Sequence, residues 1–503
     1  MKVNHISKSL LVAAITISSF TSGYSQKDFE PVSVQEKAKL RAAVVANPND
    51  LEAHKAYLKS FASADEAKAQ YEQWMKKYPK SAAIPQALGE KYGTYSPVAA
   101  TYYLKAATLN PKNAYVWQRL ALAASLSGDN AKQQEYYKNA IAAEPENLDH
   151  QWSYFRLFRE KDEAFYKKNI WELAKKHPTN PTIASALHIM GIDVRDSKER
   201  IAIWEELRSM FPQGDLVTVQ VAMSRLGDAY IQAGQYEKAI ELSETMIAKN
   251  PPARFNFPEK LKLAKSLLAI ENKVKEGKQT EAVQMLSYVT SSQRNLFDIG
   301  SHVILVKASV LDAAGETKTA YDSLIIFQAR TPYMDAKAAL EKYGQKLGKS
   351  KEQVKQDVRA EVAKNSRPAT PFELDLYTSK GKMKLENVKG KVVFLSYWYP
   401  GCGPCRGEMP HIEAAIKGID RTKFAYLGVN GYRDQDGFVL PFMKGTKYSF
   451  TPLGADDKVV KDYEVRYYPT NFIIDQDGRI AYSRFMVGAD NEETLKLMIE
   501  SLL

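Results

Sequence analysis

Two cysteines, three positions apart, are the residues of this chain best suited to chemistry. Cys402 and Cys405 are the entire cysteine content of the 503 residues. Structural disulfides in exported proteins usually come as several pairs at wider spacing, so this usage indicates a reactive dithiol instead. A zinc site would need two further ligands in a chain with seven histidines and no other cysteine, which disfavours a metal at this position.

The sequence around the pair predicts that Cys402 lies at the start of a helix. Residues Val392 to Trp398 form a continuous apolar run typical of a buried strand, and helical sequence follows Cys405. Free N–H groups and the dipole at a helix N-terminus favour negative charge, so this placement lowers the pKa of the Cys402 thiol and raises its thiolate fraction. Pro404 fits the first helical turn, where no N–H is required. Cys405, one turn further in, can then attack the mixed disulfide and release the substrate.

Strand and helix patterns alternate through the rest of the carboxy-terminal part. Two more buried strands are predicted at Phe424 to Val429 and Asn471 to Asp475. A hairpin turn at Asp477-Gly478 leads into a strand from Arg479 to Arg484. Two helices are predicted at Asp456 to Tyr463 and Asn491 to Leu503. This alternation predicts an α/β domain with a central sheet.

Five segments of this part carry a resemblance to a known family. They are Thr370-Pro371-Phe372 with Leu374, Gly390-Lys391-Val392-Val393, Cys402-Gly403-Pro404-Cys405-Arg406 with Glu408-Met409-Pro410, Tyr463-Glu464-Val465 with Tyr468-Pro469-Thr470 and Phe472-Ile473-Ile474-Asp475, and Asp477-Gly478-Arg479-Ile480. In this order they resemble the TlpA-like, ResA-like branch of the thioredoxin superfamily, relatives of exported reductases that serve cytochrome c maturation. The resemblance covers most of residues 367–503. It implies a thioredoxin-like fold and a thiol–disulfide oxidoreductase whose redox-active group is the Cys402–Cys405 disulfide, with no other cofactor.

The resemblance also assigns supporting roles. Pro469 is expected to be cis and to face the cysteine pair, and the backbone of Tyr468 to pair with an extended client segment whose sulfur lies in line with Cys402. The other residues expected to support the site or bind substrate are Gly403, Pro404, Thr470, Trp398 and Glu408.

The chain departs from the family at two positions near the pair. Gly401 stands where the family has tryptophan, so the face around Cys402 is expected to be more open. Ser396 stands where thioredoxins bury an aspartate, so deprotonation of Cys405 needs another base or water. Glu408 is a candidate for that base, although a charged first-turn residue that favours the helix dipole is the preferred interpretation. His411 is interpreted as a surface or packing histidine.

Prolines recur through the amino-terminal region at intervals of 31 to 39 residues, at Pro48, Pro79, Pro111, Pro145, Pro178, Pro212 and Pro251. The sequence between them is rich in helix formers. Two helices and a proline-bearing turn in about 34 residues resemble the tetratricopeptide repeat. Residues 26–350 are therefore expected to form an all-α solenoid whose aromatic residues fill the core, and whose concave face binds a partner protein.

Later parts of the region are more degenerate. Arg254 to Ala282 and Ala313 to Pro332 are interpreted as further helical pairs, and Lys351 to Lys364 as a last charged helix. Two prolines then interrupt the helix pattern. The resulting organisation is helical repeats over residues 26–350, a helix and linker over 351–366, and a thioredoxin-like domain over 367–503.

Residues 1–25 have the layout of a secretory signal peptide: a basic start, a short apolar run from Leu10 to Phe20, and small residues at Gly23 and Ser25. An uncleaved anchor helix is the alternative, disfavoured because the run is shorter than a bilayer span. The mature chain is therefore expected to be soluble and periplasmic. The chain has a net charge of +11, but its sequence contains no arginine-rich run and no interleaving of aromatic and basic residues. Nucleic acid is therefore not an expected partner.

Two hypotheses for function follow. The first is an exported reductase of protein disulfides that receives electrons from a membrane thiol donor, with the Gly-Pro dipeptide between the cysteines favouring the reducing direction. The second is a repeat-based scaffold with an accessory or redox-sensing thioredoxin-like domain. A thiol peroxidase is disfavoured, because the local sequence around the two cysteines lacks the threonine and arginine pattern of such a site.

Overall fold

A computed structural model describes residues 32–289, 299–489 and 491–503. The predicted signal peptide, residues 1–25, lies outside this range. The chain divides into two compact units, one extending to Tyr92 and the other from Gly93 onward. Of the helices that the structure describes, none combines the length and the apolar composition needed to cross a membrane.

The first unit consists of antiparallel helices around an aromatic core. Tyr57, Tyr71 and Trp74 are buried, and the ring centroids of Tyr71 and Trp74 lie 5.1 Å apart. Its helices are α1 Val34–Ala46, α2 Leu51–Leu58, α3 Ala64–Lys77 and α4 Ala83–Tyr92.

The second unit begins with a continued series of paired helices. They are α5 Pro97–Leu109, α6 Ala114–Leu126, α7 Asn130–Ala143, α8 Leu148–Arg156, α9 Glu163–Lys176, α10 Pro181–Asp193, α11 Ser197–Met210, α12 Val217–Gln232, α13 Tyr236–Ala248, α14 Phe257–Lys275, α15 Gln279–Met285, α16 Gly300–Ala313, α17 Thr317–Arg330, α18 Met334–Lys346 and α19 Lys351–Asn365. The amino-terminal region is thus all-helical, as the sequence predicts. Its membership of the tetratricopeptide class stays a prediction.

The recurring prolines mark the loops between successive helical pairs. Pro111 follows α5, Pro145 follows α7 and Pro178 follows α9, each two residues after the helix ends. The next helix then starts with a side-chain cap: Asn113, Asn147 and Asn180 each accept a hydrogen bond from a backbone N–H of the first turn. The proline period in the sequence therefore reflects a repeated local arrangement, in which a proline follows one helix and an asparagine caps the next.

One predicted helical pair is wrong. Ala313 to Pro332 contains the single helix α17, and the partner of that helix is α16, which lies upstream. Gly315, with φ of +83°, forms the turn inside the pair rather than a boundary between pairs. The segment Arg254 to Ala282 does contain two helices, α14 and the start of α15.

The carboxy-terminal part forms one mixed sheet with helices on its faces. The elements are β1 Arg367–Pro368, β2 Glu373–Leu376, β3 Lys382–Lys384, β4 Val392–Trp398, α20 Gly403–Ala415, β5 Phe424–Asn430, α21 Asp436–Thr446, β6 Thr451–Gly454, α22 Asp457–Asp462, β7 Thr470–Ile474, β8 Arg479–Ser483 and α23 Glu492–Glu500. The strand order is β1-β8-β7-β4-β5-β6-β2-β3. The strand β4 pairs in parallel with β5 and antiparallel with β7, which gives the central sheet of a thioredoxin-like fold.

The strand β4 is buried over its whole length, because both faces of the sheet are covered. Val393, Leu395 and Tyr397 point to one apolar cluster. Phe394 and Trp398 point to the other cluster, which also contains both cysteines. The strand thus fixes the position at which the chain turns into the active-site helix α20.

The helical region of the second unit contacts this domain near both of its own ends. At the first, the turn at Gly128 lies so close to α21 that a Cβ on Gly445 would be 2.6 Å from the Gly128 carbonyl oxygen. At the other, Ala329 and Val362 join the apolar cluster of the domain, and Arg359 Nε donates a 2.7 Å hydrogen bond to the Ser501 carbonyl. The helices from Pro97 onward and the domain therefore pack as one body.

Candidate active site

Cys402 and Cys405 form a disulfide at the N-terminus of α20. Cys402 is the N-cap residue, its Sγ accepts a 3.1 Å hydrogen bond from the Cys405 N–H, and the two Cα atoms are 5.3 Å apart. Each cysteine is only 2% exposed, whereas the intervening Gly403 and Pro404 are exposed. The disulfide thus lies just under the surface at a helix terminus, where the dipole stabilises a thiolate on Cys402 once the bond is reduced.

The Tyr468–Pro469 peptide bond is cis, as the resemblance implies. The Tyr468 ring packs edge-on against Tyr399 at 5.2 Å, and its hydroxyl donates a 3.2 Å hydrogen bond to the Gly431 carbonyl. Thr470 begins β7, and its hydroxyl donates a 2.5 Å hydrogen bond to the Tyr467 carbonyl. This segment is therefore fixed on both sides of the cis bond.

Trp398 supports the site from the core. It is 1% exposed and lies in the same apolar cluster as both cysteines. Its ring centroid is 5.1 Å from those of Phe442 and Phe450. The tryptophan therefore contributes to the floor of the site and not to its outer surface.

Glu408 is buried, which corrects the interpretation as a charged first-turn residue. It lies in the second turn of α20 and is 2% exposed. Burial raises the pKa of its carboxyl to about 7, although hydrogen bonds from Asn471 and Val487 act in the opposite direction. Asn471 Nδ2 donates to Oε2 at 2.9 Å and the Val487 N–H donates to Oε1 at 2.8 Å. The carboxyl can therefore gain and lose a proton at neutral pH.

Glu408 and Cys405 lie three residues apart on α20, so their side chains share one face of the helix. Ser396 on β4 is 5% exposed and is paired in register with Asn471 on β7, which places both on the same side of the sheet. The neutral Ser396 thus neighbours Asn471, whose side-chain amide is hydrogen-bonded to the Glu408 carboxyl.

The space beside Gly401 is filled, which corrects the expected opening around Cys402. The Gly401 N–H donates a 2.6 Å hydrogen bond to the side-chain oxygen of Gln435. A Cβ at position 401 would be 2.8 Å from that oxygen and 2.9 Å from Cε1 of Tyr95. A side chain at position 401 would therefore have to displace Tyr95 of the helical region and Gln435 of the domain, so the space expected to be open is occupied.

Positive charge from the helical region lies near α20. Burial lowers the pKa of Arg406, the residue after Cys405, and the charges of Arg159 and Arg156 lower it further, whereas Tyr448 raises it. The guanidinium lies 5.7 Å above the ring of Phe442. Arginines retain their charge even after such shifts, so they favour anionic groups at this end of the domain.

His411 links the domain to the helical region. Its Nδ1 is 2.6 Å from Glu492 Oε1, which also accepts a 2.7 Å hydrogen bond from Arg195. The histidine is thus a half-buried packing residue in a charged bridge.

Sequence reasoning missed Tyr95, Gln435, Asn471 and also Tyr432, whose ring centroid lies 5.3 Å from that of Tyr399. Tyr95, Gln435 and Tyr432 reach the site from other segments of the chain and belong to no local motif. Asn471 directly follows the proline segment, so its position alone was a usable signal.

The fold and the disulfide together define a thioredoxin-like domain with a CxxC disulfide at a helix N-terminus. Residues 366–483 match the model of the AhpC/TSA family. Over 123 residues the chain is 28% identical to thiol-disulfide oxidoreductase ResA of Bacillus cereus, covering 24% of this chain and 69% of the relative. It is 36% identical over 112 residues to thioredoxin-like protein YneN of Bacillus subtilis, covering 22% of this chain and 65% of that protein.

Among solved structures, the chain is similar to a thiol:disulfide interchange protein of the thioredoxin family from Chlorobium tepidum, at 20% identity and a TM-score of 0.25, covering 27% of this chain and 96% of that one. The chain spans about two thirds of the length of the two curated relatives named above. Its carboxy-terminal part has a thioredoxin-like fold and is similar in sequence to curated thiol–disulfide oxidoreductases.

Proposed function

We propose that this protein is an exported reductase of protein disulfides, in which Cys402 attacks and Cys405 resolves. The observation that carries the proposal is the Cys402–Cys405 disulfide at the start of α20, with the buried Glu408 carboxyl on the same helix. Similarity to curated thiol–disulfide oxidoreductases supports the reaction class. The layout of residues 1–25 supports export.

In the first step the Cys402 thiolate attacks one sulfur of the client disulfide. A mixed disulfide forms between Cys402 and the client, and the other client sulfur leaves as a thiolate that takes a proton from water. The helix N-terminus stabilises the attacking thiolate before the reaction. The exposed Gly403 and Pro404 let the client approach the buried sulfur.

In the second step Cys405 attacks the sulfur of Cys402 and releases the second client thiolate. The Cys405 thiol must lose its proton first, and the Glu408 carboxylate is the group that accepts it. With a pKa of about 7, this carboxyl is partly ionised at neutral pH and is a suitable base. The products are a reduced client and the Cys402–Cys405 disulfide, so two electrons have moved to the client.

Return to the dithiol state requires two electrons from another dithiol, for which we propose a thiol donor in the membrane. The Gly-Pro dipeptide favours the reducing direction, since thioredoxin has a potential of about −270 mV and strong oxidants lie near −120 mV.

The helical region is proposed to hold a partner protein. A groove of about 520 Å³ lies among α11, α12 and α13. It combines apolar walls at Phe211 and Met223 with charged rims at Lys238, Glu241 and Lys249, a mixture suited to a polypeptide segment. Filling it with Thr245→Trp should lower the yield of client complexes trapped on Cys402, whereas Thr319→Trp on the exposed surface of α17 should not.

The reduction potential of the Cys402–Cys405 pair tests the proposed direction. It is measured by titrating the full mature chain with redox buffers and trapping the free thiols. A value near −270 mV supports a reductase and a value near −120 mV makes the protein a disulfide donor. A pair that never closes would overturn the enzymatic function altogether.

A further inference from the structure

Tyr95 belongs to the helical region but lies beside the active site. It occupies the loop that leads into α5, and its Cε1 would be 2.9 Å from a Cβ at position 401, next to Cys402. The side chain is 46% exposed, so the ring contacts the domain on one side and solvent on the other. Residue 95 is therefore in a position to meet whatever binds at the disulfide.

Two contacts fix the loop that carries Tyr95. Arg119 of α6 donates a hydrogen bond to the hydroxyl of Thr94, and Pro97, the first residue of α5, lies against Gly437 of α21. The proline ring is 3.0 Å from where a Cβ on Gly437 would be. The position of Tyr95 is thus set by packing on both sides and not by a free loop.

Tyrosines from the domain surround the same position. The ring of Tyr399 lies 5.3 Å from that of Tyr432 and 5.2 Å from that of Tyr468. Burial raises the pKa of Tyr399, and the nearby hydroxyls of Tyr95 and Tyr432 raise it further, which places the three phenols in one neighbourhood. Such rings provide rigid contact area for apolar and aromatic side chains at low cost in conformational entropy.

We propose that Tyr95 determines client specificity, by stacking on an aromatic side chain that flanks the reactive cysteine of an extended client segment. Tyr95 occupies the volume that a side chain at position 401 would need, so the helical region supplies the ring beside Cys402. The inference rests on the proposed function, because it assumes that Cys402 attacks a client disulfide. It goes beyond that function by assigning a substrate class to the site.

The test is the ratio of two rate constants in the full mature protein. Two disulfide-linked peptide dimers of equal length and charge are used, with tryptophan or serine beside the cysteine. Each is mixed with the reduced protein, and the second-order rate of oxidation of the Cys402–Cys405 dithiol is followed in a single turnover. The tryptophan peptide should react faster by roughly three- to tenfold, the range that aromatic pairing provides.

Tyr95→Ala should reduce this ratio to about one, and Tyr95→Phe should preserve it, because stacking needs the ring and not the hydroxyl. Tyr288→Ala, at a 65% exposed tyrosine elsewhere in the helical region, is the matched control and should leave the ratio unchanged. A ratio compares two substrates on one protein, so a general loss of folded enzyme does not change it.

Three results would overturn the inference. If wild-type protein shows no preference, or if Tyr95→Ala keeps the preference, the inference fails while the proposed function stands. If the reduced wild-type protein oxidises with neither peptide, the proposed function fails and the inference fails with it.

Discussion

The side-chain amide of Asn471 donates a 2.9 Å hydrogen bond to the carboxylate of Glu408 in the core of the domain. Both residues are almost fully buried, and the other Glu408 oxygen accepts from the Val487 N–H. Two donors satisfy the carboxylate without a cationic partner, so burial still dominates its pKa. The result is a carboxyl with a pKa of about 7, one helical turn along α20 from Cys405.

Glu408 should make the stability of the protein depend on pH. Its pKa is about 7 in the folded protein against 4.5 as the reference, so between these values the folded state holds a proton that the unfolded state has lost. The stabilising effect is complete below about pH 4.5 and is lost as pH rises through 7. The free energy of unfolding should therefore fall by up to about 3 kcal/mol over this range. Urea denaturation of the oxidised protein at about pH 5 and pH 8 measures it.

Glu408→Gln should remove most of that difference, since glutamine does not titrate. Glu493→Gln, at an exposed position in the same domain, is the control and should behave like the wild type. An unchanged pH dependence in Glu408→Gln would show that the carboxyl titrates normally.

The same substitution should slow the release of the client. Without the carboxylate, Cys405 must lose its proton to water, so the rate of the second step should fall by about a hundredfold at neutral pH. The wild-type rate should rise with pH through about 7, and the rise in Glu408→Gln should move to higher pH. Rapid mixing with a labelled peptide disulfide separates the two steps. Identical pH profiles would assign the base to another group.

Removing one cysteine at a time should distinguish their roles. Cys405→Ala should accumulate a mixed disulfide with the client, because Cys402 can attack but nothing resolves the adduct. Cys402→Ala should give no adduct, since Cys405 lies within the first turn of α20, behind the N-cap position that Cys402 occupies. Non-reducing electrophoresis and mass spectrometry detect the adduct. Adducts on Cys405 instead would reverse the assignment.

Gly445→Ala should destabilise the contact between the helical region and the domain. The added Cβ would be 2.6 Å from the Gly128 carbonyl oxygen, which is backbone and has little room to move. The free energy of unfolding should fall by about 1–3 kcal/mol. Chemical denaturation of the full chain measures this loss.

Gly407→Ala is the matched control for that experiment. This helical glycine has no atom within 4 Å of the added Cβ, so alanine should be neutral or stabilising by about 0.5–1 kcal/mol. Wild-type stability in Gly445→Ala would mean that the two regions do not approach as closely in solution.

The local parts of the site could be predicted from the sequence. The apolar run at β4 and the start of α20 at Cys402 follow from short segments whose neighbours are close in the chain, whereas the cis bond before Pro469 follows from the family resemblance. The proline spacing likewise predicted where helical pairs end. Local rules of this kind need no knowledge of tertiary contacts.

The rest depended on contacts between distant segments. Glu408 was expected to be a first-turn charge because its hydrogen-bond partners come from distant segments, Asn471 from β7 and Val487 from the loop after β8. The space beside Gly401 was expected to be open because nothing in the local sequence announces Tyr95. The prediction of a helical pair at Ala313 to Pro332 was wrong for a related reason. A glycine turn within a helical pair and a glycine turn between two pairs have the same composition, so the sequence does not distinguish them.

Tyr95 lies against Gly401, so the surroundings of the disulfide are built from two segments that are far apart in the sequence. If residues 367–503 were fused to another chain, both cysteines would be kept but the Tyr95 ring beside them would be lost. Under the proposed role of Tyr95, substitutions in the loop before α5 would alter the choice of client while both cysteines stay unchanged. The helical region and the thioredoxin-like domain are therefore expected to evolve as a pair.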